Sequence, residues 1–116
     1  MSIYRAFRDL EALGPALIVL SIPMLLRWVP PNRFYGFRVP AALSDRPLWY
    51  DANALAGRHM LALGAVMVML EFVLPVPWRA GVLSPLGLVG LVVITIADWR
   101  TANQWRRQRE SAKGKP

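Results

Sequence analysis

Residues 80–97 read "AGVLSPLGLVGLVVITIA", a run without a single charge. A bilayer's hydrocarbon core takes roughly 20 mostly apolar helical residues to cross, and this run reaches the usual threshold alone. Trp78 and Trp99 bracket it. At about 1.5 Å per helical residue they stand some 30 Å apart, close to one hydrocarbon thickness. Tryptophan collects at both interfaces because its ring is apolar and its N–H seeks a partner. A soluble amphipathic helix would carry a charged face, and this stretch has none. Its reading therefore sets the fold class: helices in a membrane.

Two more uncharged runs lie upstream, at 12–26 and 60–70. The first becomes long enough by borrowing Leu10 and Trp28. The second does so when 72–78 is added past Glu71, with that acid near one interface. With 116 residues there is room for one domain, and 55% apolar against 18% charged residues leaves such runs intact. The expected architecture is all-α, an integral membrane bundle of three transmembrane helices. The spans fall at about 12–28, 58–76 and 80–99, with an ordered cytoplasmic loop at 29–57, in one membrane domain over 1–110. A disordered basic tail follows at 111–116. Arg5 and Arg8 are accompanied by Asp9 and Glu11, and no small-residue cleavage site follows the first run, so this segment reads as retained. The absence of Cys excludes a disulfide framework and thiolate ligands.

Orientation follows from the basic residues. With three spans, Arg5, Arg8 and Arg79 fall on one side. Arg27, Arg33, Arg38, Arg46, Arg58, Arg100, Arg106, Arg107, Arg109, Lys113 and Lys115 fall on the other. The positive-inside rule places the richer side in the cytoplasm, with the N-terminus outside. The basic inner face is expected to attract anionic lipid headgroups, at roughly 1 kcal/mol per charge. Orientation already accounts for this charge, and no nucleic-acid-binding module is present.

Local signals refine the layout. Ile3, Phe7 and Leu10 share one face of a short interfacial helix. Pro15 suits a first turn and Pro23 should kink the span. "VPP" at 29–31 stops it. Ser44 or Asp45 can cap a helix with Pro47 in its first turn, and no breaker follows until Pro75. One helix should thus run from near residue 46 through the second span. Ser84-Pro85 resembles a cap and first helical position, although Ala80 is an equally open start. Asp98 lies near the inner end of the third span, where pairing with a loop arginine is expected.

The second helix carries a readable seam. Asn53, Gly57, Met60, Gly64, Met67 and Glu71 recur at alternating spacings of four and three. Small residues allow close helix approach where lipid gives no hydrophobic drive, so packing is one reading. The other is a polar path with Asn53 and Glu71 at its ends, as in a small transporter or accessory membrane subunit. Glu71 is an ionisable residue inside an apolar run, a functional signal by default. One turn from Pro75, it could equally be an interfacial residue near Arg79.

The remaining question is the polar stretch "NRFYGFRVPAALSDRPLWYDANALAGR" at 32–58. Asn32, Gly36 and Arg38, followed by Trp49, Asn53 and Gly57, resemble the signature loop of the SdpI/YfhL family of bacterial membrane proteins. Val39 stands where that family usually has Thr. The resemblance covers the loop and its flanking spans, in a form shorter than the family's many-span members. It implies an immunity or signalling protein that acts by binding: toxin protection, membrane sequestration of a regulator, or both. A toxin peptide or regulatory protein is then the expected partner, and the composition leaves oligomerisation open. Arg38 is a planar donor suited to phosphate or carboxylate, expected to bond backbone carbonyls, Asp51 or Asp98. No cofactor is implied. His59 has no second His nearby, no acid cluster has metal-ligand spacing, and no P-loop, dinucleotide fingerprint or Ser/His/Asp order appears. The chain is not expected to be an enzyme.

Overall fold

A computed structural model describes residues 12–32 and 34–113, and the interfacial helix expected at 2–11 lies outside them. The described residues are all-helical, without strands. Four helices follow in order: α1 (Leu13–Leu25), α2 (Pro40–Leu43), α3 (Arg46–Val73) and α4 (Val76–Lys113).

The two long helices, α3 with 28 residues and α4 with 38, are long and apolar enough to cross a membrane. Their most apolar windows are only 22% and 18% buried within the chain. A core helix of a soluble bundle would be mostly covered. Here Met69, Phe72, Val89, Val92 and Val93 stand outward, each more than half exposed. Contiguous apolar surface of this kind is what a bilayer covers. The shorter α1 is an uncharged helix of 13 residues, about 20 Å long.

Helix ends follow local chemistry. In α1, Pro15 sits in the first turn and Pro23 lies inside the helix. The end is a Schellman closure: the Arg27 N–H donates to the Met24 carbonyl (3.2 Å) and the Trp28 N–H to the Pro23 carbonyl (2.9 Å). This places Arg27 at φ 62, a left-handed conformation unusual for a side chain with a Cβ. The α3 helix starts at Arg46 with Asp45 as its cap position and Pro47 in the first turn, then continues unbroken to Val73. The Asp45 side chain caps nothing, because it is engaged elsewhere.

The helix α4 corrects two sequence expectations. It begins at Val76, ahead of both Ala80 and Ser84-Pro85. Pro77 fills the early position where a missing N–H is harmless, leaving Pro85 inside the helix. The cost there is the one bond that Pro85 cannot donate to the Gly81 carbonyl. At the other end the helix runs on through Lys113, so Ser111–Lys113 form its last turn, while 114–116 lie outside the described residues.

Both α1 and α4 pack on α3 and barely meet each other. The α1–α3 contact is a close backbone crossing. A Cβ on Gly64 would lie 2.7 Å from the Gly14 carbonyl oxygen, and one on Gly57 would lie 2.9 Å from the Leu25 nitrogen. Leu17, Met67 and Leu83 fill the centre of the three-helix contact. A second cluster sits at the other end, where Trp49, Ala52 and Ala56 of α3 meet Val29, the α2 alanines and Ala102 of α4.

Candidate functional site

Two asparagines shape the segment between α1 and α3. Asn32 folds its first turn. Its oxygen accepts from the Phe34 and Tyr35 N–H groups (2.8 and 2.7 Å), and its amide donates to the Pro30 and Tyr35 carbonyls (2.8 and 2.9 Å). A short amide that reaches its own backbone two or three residues on is a turn former by construction. Asn53 reaches the same segment from α3. Its Oδ1 accepts from the Phe37 N–H (2.6 Å), and its Nδ2 donates to the Phe37 carbonyl (3.3 Å) and to the Trp49 carbonyl one turn back (2.9 Å). A buried amide with both ends engaged holds Phe37 as a neighbouring strand would.

Gly36 lies against this pair. Its φ is +113°, and a Cβ would stand 2.7 Å from Asn53 Oδ1 and 3.1 Å from the Trp49 ring. Conformation and space both require glycine. Trp49 is fully buried, and its indole N–H donates to the Val29 carbonyl (2.8 Å). One turn beyond Asn53, Gly57 admits the α1 backbone. Gly36, Trp49 and Asn53 thus form one clamp on this segment, with the Asn32 turn before it and Gly57 at the α1 crossing beyond it.

Arg38 stands apart. It is exposed and makes no hydrogen bond or ion pair among the described residues. The expectation that it bonds Asp51 or Asp98 is corrected, because both acids are taken. Asp51 accepts from Arg27 and from Arg109, each at 2.7 Å. Arg109 also donates to Asp45 (2.8 Å), so one guanidinium near the end of α4 ties both acids at the start of α3. The hydrogen bond to Asp45 pushes the Arg109 pKa further up, with desolvation working against it. No sequence spacing signals this network, since Arg109 lies 58 and 64 residues from its partners.

Val39 occupies the N-cap position of α2 and makes no side-chain cap. The Thr that the resemblance implies there would supply a hydroxyl to the free N–H groups of α2. In this chain, Pro40 at the first helical position and the packing of Val39 against the Trp49 cluster carry that turn instead.

Asp98 is 1% exposed and pairs with His59, whose Nδ1 stands 2.8 Å from Oδ1. The pairing expected with a loop arginine is therefore replaced by one with the chain's single histidine. The other oxygen of Asp98 has no partner among the described residues. Glu71 is half-buried near the end of α3, also without a partner among the described residues, and Arg79 donates to the Leu74 carbonyl rather than to Glu71. The seam between Asn53 and Glu71 is closed by α1 at Gly57 and Gly64.

Where α1 and α4 diverge, a cavity of about 240 Å³ opens above α3. Ala56 and Met60 form its floor, Leu20 and Met24 one wall, and Leu91, Ile94 and Thr95 the other. The clamped residues Tyr35, Gly36 and Phe37 close its end. The Tyr35 hydroxyl donates to the Leu20 carbonyl, and burial raises its pKa. No cluster of metal-ligating side chains occurs among the described residues.

A model of the SdpI/YfhL protein family matches residues 29–97, more than half of the chain. The match takes in the clamped segment, α2, α3 and the apolar part of α4. No curated protein and no solved structure matches the chain.

Proposed function

As the chain belongs to the SdpI/YfhL protein family, we propose that it is a multi-pass membrane protein of the immunity type, working by binding at its signature loop. The two long apolar helices cross the bilayer, with α1 carried beside α3 as the third span. The excess of arginine around the loop and on α4 sets these parts in the cytoplasm. The partner is a toxin peptide or a regulatory protein held at the membrane.

One observation carries this reading. Five of the six signature residues have a structural task, in the loop's own turn, in its attachment to α3 or in the α1–α3 crossing, and Arg38 has none among the described residues. A rigid platform that presents one planar cation is suited to recognising a carboxylate or phosphate, because the fork is oriented before the partner arrives. Phe34, 94% exposed on the same loop, adds an apolar contact.

The test is a protection assay in which toxin-sensitive bacteria that express the chain are challenged with an exported peptide toxin. Arg38→Lys keeps the charge and loses the fork, so protection should fall with membrane levels unchanged. Arg46→Lys should protect normally. Equal protection by both variants would make Arg38 one inner-face charge among several and remove the proposed contact.

A further inference from the structure

The acids at the loop end of the molecule are all engaged. Asp45 and Asp51 hold Arg109, Asp51 also holds Arg27, Asp98 holds His59 and Glu110 holds Arg106. Arg38, Arg46, Arg58, Arg100 and Arg107 have no carboxylate within ion-pair distance among the described residues. This end therefore presents several uncompensated guanidinium groups. Phe37, which closes the cavity between α1 and α4, is followed directly by Arg38.

An apolar cavity open to the side, with an unpaired cation next in sequence to the Phe37 that closes it, matches one ligand chemistry: a hydrocarbon chain bearing an anionic head. We propose that the cavity takes an acyl chain of an anionic phospholipid and that Arg38 binds the phosphate. The walls suit a chain rather than a polar solute, since Leu20, Met24, Met60 and Ile94 offer no hydrogen bonds from their side chains. The hydroxyl of Thr95 is already turned back to the Leu91 carbonyl (2.7 Å), and that of Tyr35 to Leu20. The cavity lining holds no charged side chain, so the phosphate would lie beyond its Phe37 end, where Arg38 follows. This inference rests on Arg38 facing a ligand, as in the proposed function, and names a lipid for the space beside it.

The experiment is native mass spectrometry of the full chain released from bilayers of phosphatidylglycerol, of phosphatidylcholine, or of both in equal parts. The wild-type chain should retain one lipid and prefer phosphatidylglycerol by about fivefold, the factor one interfacial basic residue supplies. Arg38→Gln should keep a lipid and lose the preference. Thr95→Trp and Leu20→Trp, which fill the cavity from opposite walls at partly exposed positions, should lose both lipids while the chain stays monodisperse. Two variants guard against one misfolding. Unchanged retention in both tryptophan variants would overturn the lipid site, as would equal retention of the two lipids by wild type. Inorganic phosphate that displaced the lipid completely would overturn the acyl contact. The outcomes separate from those of the protection assay: normal protection by Arg38→Lys defeats the immunity reading, whereas intact lipid retention in the tryptophan variants defeats the lipid site alone.

Discussion

Asn53 and Arg38 belong to one sequence pattern and do opposite things. Asn53 is 1% exposed and gives its whole amide to Phe37 and Trp49. Truncating it would leave the Phe37 backbone without its partner in a buried setting, at about 1–3 kcal/mol. Asn53→Ala should therefore open residues 34–39 to protease, read by cleavage rate in detergent. Arg38→Lys should leave that rate unchanged, since no contact is lost. Faster cleavage of Arg38→Lys would show that the arginine is part of the clamp. The sequence shows that Gly36 needs a special backbone and that Trp49 and Asn53 share a helical face. It does not show what Asn53 holds, because Phe37 is 16 residues away and offers only backbone atoms. Nor does it show the partners of Asp51 and Asp98, since any arginine in the loop fits them equally well by charge alone.

At the scale of the helix, the seam on α3 is a packing surface. Gly57 and Gly64 were legible as small residues at helical spacing, and close approach is the general reason for such spacing in membranes. What the spacing could not decide was whether a partner helix or a polar path fills the seam. The α1 backbone fills it, with the Gly14 carbonyl and Ile18 over Gly64. Even a methyl group there meets backbone that cannot turn aside. Gly64→Ala should lower stability by about 1–3 kcal/mol, measured as a loss of thermal midpoint in detergent, and an unchanged midpoint would place α1 away from this seam. Helix starts were harder to read. Pro77 and Pro85 both suit a first turn, and local chemistry does not rank them; α4 takes the earlier one. The short helix α2 offers a separate check. Val39 cannot cap it, so Val39→Thr should gain up to about 1 kcal/mol from a new cap bond, less the packing lost from the valine methyl. A clear loss of stability would mean that the contact with the Trp49 cluster outweighs the cap.

For the molecule as a whole, an apolar pair of long helices carries a polar, clamped platform at one end. The charge pattern and the uncharged runs made the all-helical, membrane-compatible class readable from composition, because a bilayer demands long uncharged helices and tolerates little else. The network joining Arg27, Asp51, Arg109 and Asp45 was not readable, yet it ties the end of α1, the start of α3 and the far part of α4 together beneath the platform. In the proposed orientation this end faces the cytoplasm, the α3–α4 turn faces outward and Arg38 is open to water. The chain has no cysteine, so single cysteines report each point without a background. Arg38→Cys and Trp78→Cys, treated with a membrane-impermeant maleimide in intact cells and again after permeabilisation, give the most direct test. Trp78→Cys should label in intact cells, and Arg38→Cys only once the inner membrane is opened. Labelling of Arg38→Cys in intact cells would invert the orientation, and no labelling in either state would contradict an exposed Arg38.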